Sequence, residues 1–94
     1  YNVYPKEIES VIDEMPEVLE SAVIGLPHAD FGEAVCAVVV LKNTATLDSA
    51  TVSARLKSQI ANFKVPKQVF FVKELPRNTM GKVQKNILRQ QFRN

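Results

Sequence analysis

Apolar positions near the start of the chain recur at helical spacing, with Ile8, Val11, Ile12 and Met15 at i, i+3, i+4 and i+7. Pro5 suits a first helical turn, Glu7 and Glu9 suit the positive end of the helix dipole, and Pro16 stops the run. An amphipathic helix is predicted, its polar side (Lys6, Glu9, Asp13 and Glu14) in water. Two strand-like runs follow, Val18 to Leu26 and Glu33 to Lys42, joined by a reversing loop that holds Pro27, Asp30 and Gly32. Ala34 through Leu41 is almost wholly apolar, so the second strand is expected at the centre of a sheet, covered on both faces.

After a polar turn, with Thr46 or Asp48 as N-cap, Val52, Leu56, Ile60 and Phe63 again fall at helical spacing. The run Asn62-Phe63-Lys64-Val65-Pro66 breaks that helix, and Gln68 to Lys73, rich in Val and Phe, predicts a third strand. Ile87, Leu88 and Phe92 mark a short last helix whose other side carries Lys85, Arg89 and Arg93. The expected fold is α+β, three helices packed on a small three-stranded sheet in the order α-β-β-α-β-α. A helix between strands two and three permits a crossover, which would make the sheet mixed. Strand order stays open.

With 94 residues, 46% hydrophobic and 23% charged, the chain fits one ordinary globular domain with a modest core. No apolar run approaches the roughly 20 residues of a membrane span. Neither a signal peptide nor a membrane partner is expected. Cys36, the sole cysteine, lies in the apolar run, which points to a buried reduced thiol and a reducing compartment, the cytoplasm first. Residues 1–33 hold eight acids and one base while residues 34–94 hold two acids and eleven bases, or −7 against +9. Such a split fits either a basic face for an anionic ligand or two charged sets that attract each other within the domain.

Most chemical signatures fail. Gly81-Lys82 lacks the first glycine and the Ser/Thr of a phosphate loop, since Pro76 and Val83 stand there. His28, Asp30 and Glu33 are a weak set for a metal, and none is expected. A nucleic-acid reading has a basic half and the aromatic residues Phe63, Phe70 and Phe71. It has no recognition motif, and one of Phe70 and Phe71 must face the core. What remains is the run from Glu74 to Lys85, where Pro76 ends a strand-like lead and Asn78, Thr79 and Gly81 form a turn with Lys82 at its exit. A loop lysine is a mobile point charge suited to a phosphate or carboxylate that gains charge in a reaction, although spacing alone better describes a solvated side chain.

The run Pro76-Arg77-Asn78-Thr79-Met80-Gly81-Lys82 resembles the C-terminal lysine motif of the adenylate-forming enzymes, the superfamily of acyl-CoA synthetases, luciferases and peptide-synthetase adenylation domains. The opening Tyr1-Asn2-Val3-Tyr4-Pro5-Lys6-Glu7-Ile8-Glu9 is similar to the end of another motif of that family, and residues 22–40 resemble the hairpin that follows it. The first and last motifs are worded most like malonyl-CoA synthetases. The resemblance implies the small C-terminal lid domain of an acid–CoA ligase, inactive alone, whose partner is its own N-terminal AMP-binding domain. That domain would hold ATP with its Mg2+ and the carboxylic acid, malonate or another small or fatty acid, and both it and the hinge are expected to lie outside this chain.

The resemblance also implies roles for residues. Lys82 is placed between the substrate carboxylate and the α-phosphate in adenylation. Tyr1, Asn2 and Tyr4 are placed beside the pantetheine tunnel, and Phe63 and Lys64 near the nucleotide of coenzyme A. Phe63 reads as well as core packing at the end of helix two. Arg77 is open to orienting the lysine loop or meeting the partner domain. Two alternatives are an adenylation domain charging a carrier protein and a non-enzymatic module for RNA or another polyanion.

Overall fold

The computed structural model describes residues 3–30 and 32–93. The order is α1 (Pro5–Asp13), β1 (Val18–His28), β2 (Gly32–Leu41), α2 (Ser49–Lys57), a 3-10 turn at Asn62–Lys64, β3 (Gln68–Phe71) and α3 (Lys85–Phe92). β2 is central in the sheet order β1-β2-β3, antiparallel to β1 and parallel to β3. The predicted order of elements and the mixed sheet are both present.

Alternation along β2 divides the core in two. Ala37 and Val39 face one cluster with Ile8 and Ile12 of α1, Val52 and Leu56 of α2, and Val65. Cys36, Val38 and Val40 face the other, with Leu75 and with Leu88 of α3. The thiol of Cys36 is buried, and desolvation pushes its pKa up. A bulge in β1 decides which side chain goes where. Val18 pairs with Leu41 and Glu20 with Val40, so Leu19 is the extra residue. Val18 therefore packs in the α1–α2 cluster, whereas Glu20 shares the opposite face with Ala22, Ile24 and Leu26.

Several boundaries move. α1 stops at Asp13, although Met15 is still buried just beyond it. β1 extends through Pro27 and His28, so the reversal is tighter than expected. Asp48 is the cap of α2, its carboxylate accepting the Thr51 backbone N–H at 2.8 Å. The Thr51 side chain, with that backbone bond beside it, lowers the Asp48 pKa.

Three inferences about side chains need correction. α2 ends at Lys57, which leaves Ile60 outside it and Phe63 on the 3-10 turn with 48% of its surface exposed. Phe63 is not a core residue. Ile87, expected to face inward on α3, is 44% exposed, while Leu88 is fully buried and Phe92 stacks on Phe70 at 4.3 Å between ring centroids. Glu9, expected in water, is only 16% exposed: its carboxylate accepts the Val23 N–H on the outer edge of β1 and the Lys85 ammonium, each at 2.8 Å. A free strand edge leaves backbone donors that need partners, and Glu9 supplies one from the neighbouring helix.

Candidate active site

The lysine run folds as a small hairpin that a few polar groups hold rigid. Leu75 is buried in the core, and beyond it Arg77 pairs with Val83 in an isolated antiparallel bridge. The Gln84 N–H donates to the Pro76 carbonyl at 2.8 Å, and the Asn78 N–H to the Lys82 carbonyl at 3.0 Å. At the tip, the Gly81 N–H donates to the Asn78 carbonyl at 2.9 Å. The Asn78 side-chain oxygen accepts two further donors, the Met80 N–H at 3.0 Å and the Lys82 N–H at 2.9 Å. Gly81 has φ of +85°, in the left-handed region that favours glycine.

This arrangement sets the direction of Lys82. Val83 packs against the α3-side core, and alternation along the paired segment turns its neighbour Lys82 outward. The Lys82 side chain is exposed, and its ammonium has no ion pair or hydrogen bond among the described residues. The backbone at Lys82 is held by Asn78 while its ammonium is left to reach outward, as a group that meets a charged ligand requires.

The other candidate residues lie across the sheet. Val65 belongs to the α1–α2 cluster, and Phe63 and Lys64 precede it on the 3-10 turn. Pro66 keeps Val65 extended, which ends that turn and lets the chain enter β3 through the Lys67 N–H bond to the Val35 carbonyl. Phe63 lines an apolar groove of about 330 Å³ with Val3, Ala34, Val35 and Val65, with Glu33 and Lys67 also at its walls. The Lys64 ammonium lies 5.8 Å from the Phe63 ring centroid and 3.0 Å from the Glu7 carboxylate. Tyr4, 62% exposed, sits at the N-cap of α1 next to Val3. The structure thus brings Tyr4, Phe63 and Lys64 to one side and leaves Lys82 on the other. Tyr1 and Asn2 lie outside the described residues.

Charge pairing accounts for much of the uneven sequence distribution. Arg55 meets Glu17, Lys64 meets Glu7, Arg77 meets Glu20 and Lys85 meets Glu9, each pair joining a base of the later chain to an acid of the first 33 residues. The Arg55 fork holds both Glu17 oxygens, at 2.8 and 3.1 Å. That bond, helped by the residue's own backbone, lowers the Glu17 pKa to about 2. Mutual attraction within the domain therefore occupies four bases that a polyanion site would need free. Among the described residues no three His, Cys, Asp or Glu side chains gather as metal ligands would. The His28 Nδ1 instead accepts the Asp30 N–H at 3.1 Å and helps to close the hairpin turn.

Residues 7–82 match the family described as the AMP-binding enzyme C-terminal domain. The chain belongs to this family. Across 97% of its length it is 50% identical to a 3-[(3aS,4S,7aS)-7a-methyl-1,5-dioxo-octahydro-1H-inden-4-yl]propanoyl:CoA ligase of Rhodococcus jostii strain RHA1, of which it covers 18%. Across 95% it is 46% identical to an indoleacetate–CoA ligase of Aromatoleum aromaticum, again covering 18%. ATP-bound MatB from Rhodopseudomonas palustris superimposes with a TM-score of 0.95 at 65% identity, over 98% of this chain and 18% of that one. The chain thus spans under a fifth of the length of these relatives. Its fold is that of the C-terminal domain of adenylate-forming acyl- and aryl-CoA ligases.

Glu20 is a neighbour of the candidate site that sequence reasoning missed. It is the acid that Arg77 reaches from the lysine hairpin, and 57 residues separate the two. Only the β1 bulge, which no spacing rule announces, places it on that face.

Proposed function

We propose that the chain is the C-terminal lid of an ATP-dependent acid–CoA ligase and that Lys82 serves the first of its two half-reactions. In that step a carboxylate oxygen attacks the α-phosphorus of ATP, the acyl–phosphate bond forms and pyrophosphate leaves. In the second, the sulfur of coenzyme A loses its proton and attacks the acyl carbon, and AMP departs. ATP, coenzyme A, the acid and an N-terminal AMP-binding domain, which would also carry the Mg2+ of the nucleotide, are the partners this reading implies. A reducing compartment such as the cytoplasm suits the thiol substrate and the reduced Cys36.

The observation that carries the reading is the placement of two candidate sites on opposite faces of one three-stranded sheet. The rigid hairpin with its outward lysine lies over the cluster that holds Leu88, and the groove of Val3 and Phe63 lies over the cluster that holds Ile8 and Leu56. A lid that turns between steps needs a separate working face for each. Charge builds on the phosphate oxygens as the acid attacks, and an ammonium delivered there opposes it without solvent reorganisation. On the second face, Phe63 offers an exposed ring for the adenine of coenzyme A. Lys64 offers a cation for phosphate, held meanwhile by an exposed Glu7 pair of the kind that is weak enough to exchange.

Malonate is the acid we favour, supported by the wording of the motifs and by the likeness to malonyl-CoA synthetase in MatB at 65% identity. Relatives at 44 to 50% identity are named for an indane propanoate, indoleacetate, 4-chlorobenzoate and long-chain fatty acids. One domain sequence accompanying such different acids supports an acid pocket outside it.

The two-face assignment is tested in the full-length ligase with two variants. Phe63→Ala is expected to raise the KM for coenzyme A several-fold, in the range of about 1 kcal/mol for a lost stacking contact, and to leave ATP–pyrophosphate exchange unchanged. Lys82→Ala is expected to do the reverse. The assignment fails if both variants depress the same half-reaction.

A further inference from the structure

Leu75 and Val83 seat the base of the Lys82 hairpin on the core, and nearer its tip the Arg77 side chain joins it to the sheet through an ion pair. One arm of its guanidinium, Nη1, donates to the Gly81 carbonyl at 2.7 Å, and the other, Nη2, donates to the Glu20 carboxylate on β1. Gly81 is the residue immediately before Lys82, so the bond ends on the peptide unit that sets the direction of the lysine. Glu20 is available only because the bulge at Leu19 turns it to this face, and bulges commonly re-aim a side chain beside a working site. The planar fork of arginine suits two acceptors held at fixed angles, which a lysine ammonium does not match.

We propose that Glu20 and Arg77 are positioning residues for Lys82, a clasp that holds the tip of the hairpin at a fixed distance from β1 when the lysine enters the adenylation site. The clasp rests on the reading of Lys82 given above. Its geometry also explains why an otherwise exposed ion pair is placed here: Arg77 is 43% and Glu20 28% exposed in their side chains, so the pair adds little to stability but fixes a direction. Without it the hairpin keeps its own turn, through Asn78, and its base on Leu75 and Val83, while its tip is no longer held against β1.

The test uses the full-length ligase and four variants, Arg77→Leu, Arg77→Lys, Glu20→Ala and Lys82→Ala, the first three made in both wild-type and Lys82→Ala backgrounds. Misplacing a catalytic group by a fraction of a bond length is costly, so Arg77→Leu and Glu20→Ala are expected to lower kcat for acid-dependent ATP–pyrophosphate exchange roughly tenfold or more, with the KM for ATP changed less than about twofold. Arg77→Lys is expected to fall with them. Thioester formation from supplied acyl-adenylate, measured in the same preparations, stays at the wild-type rate. In the Lys82→Ala background none of the three lowers the residual exchange further, because groups that act through one another are non-additive.

Equal losses in both half-reactions would overturn the clasp and make the pair an ordinary part of the fold. So would full activity in Arg77→Lys, or a loss that persists when Lys82 is already gone. Exchange that collapses in Lys82→Ala but survives in Arg77→Leu rejects the clasp alone. Exchange that survives in Lys82→Ala rejects the underlying role of the lysine.

Discussion

A single carboxamide oxygen on Asn78 takes the backbone N–H groups of both Met80 and Lys82, which is how so short a loop holds its form without apolar packing at its tip. Met80, 90% exposed there, contributes nothing to that form. Asn78→Ala is expected to slow acid-dependent ATP–pyrophosphate exchange roughly tenfold while leaving Tm nearly unchanged, since water can satisfy the two released donors. Gly81→Ala forces a side chain into a left-handed backbone at a cost of about 1 to 2 kcal/mol, which a denaturant midpoint would register. The Glu17 carboxylate tests the charge pairing. Its pKa falls from the usual 4.5 to about 2, so the stabilisation is complete above 4.5 and is lost as the pH drops towards 2. Replacing it by Gln should flatten the curve of Tm against pH in that window, and an unchanged curve would contradict the pairing with Arg55. The lysine and its turn were legible at this scale because Asn, Gly and Lys act locally, whereas the Arg77–Glu20 contact spans 57 residues.

Among the elements, periodicity identified all three helices and all three strands, yet it misjudged where two faces point. The spacing of Leu56, Ile60 and Phe63 continues past the end of α2, because a 3-10 turn and a bend can carry residues onward at intervals close to those of a helix. In α3 the adjacent Ile87 and Leu88 both looked inward, and a helix of eight residues can bury only one of such a pair fully. Leu88→Ala is expected to cost about 2 to 5 kcal/mol by leaving a cavity, and Ile87→Ala less than about 1 kcal/mol, in chemical denaturation. Comparable losses would place α3 in a different register. Glu9 illustrates the same limit: a helix wheel puts it on the polar side, but the wheel does not know that the edge of β1 passes close by. Glu9→Ala, which orphans the Val23 N–H, is expected to destabilise by about 1 to 3 kcal/mol, and Glu9→Gln by less because it keeps an acceptor.

For the molecule as a whole, the acidic first third and the basic remainder are halves of one electrostatic pairing, and both core clusters share a single central strand. β2 is apolar on both faces, and that was readable directly from Ala34 to Leu41. What no sequence pattern stated was that the Phe63 groove and the Lys82 hairpin would stand on opposite sides of it. Their separation is what makes a turning lid chemically sensible, and Lys82 is the group whose delivery the account requires. The most direct measurement is the rate of acyl-adenylate formation by the full-length ligase carrying Lys82→Ala, set beside thioester formation from supplied acyl-adenylate in the same preparation. Removing one donor to the transition state should cost about 3 kcal/mol, so adenylation is expected to fall roughly a hundredfold or more while thioester formation persists. Adenylation at the wild-type rate, or an equal fall in both steps, would contradict it.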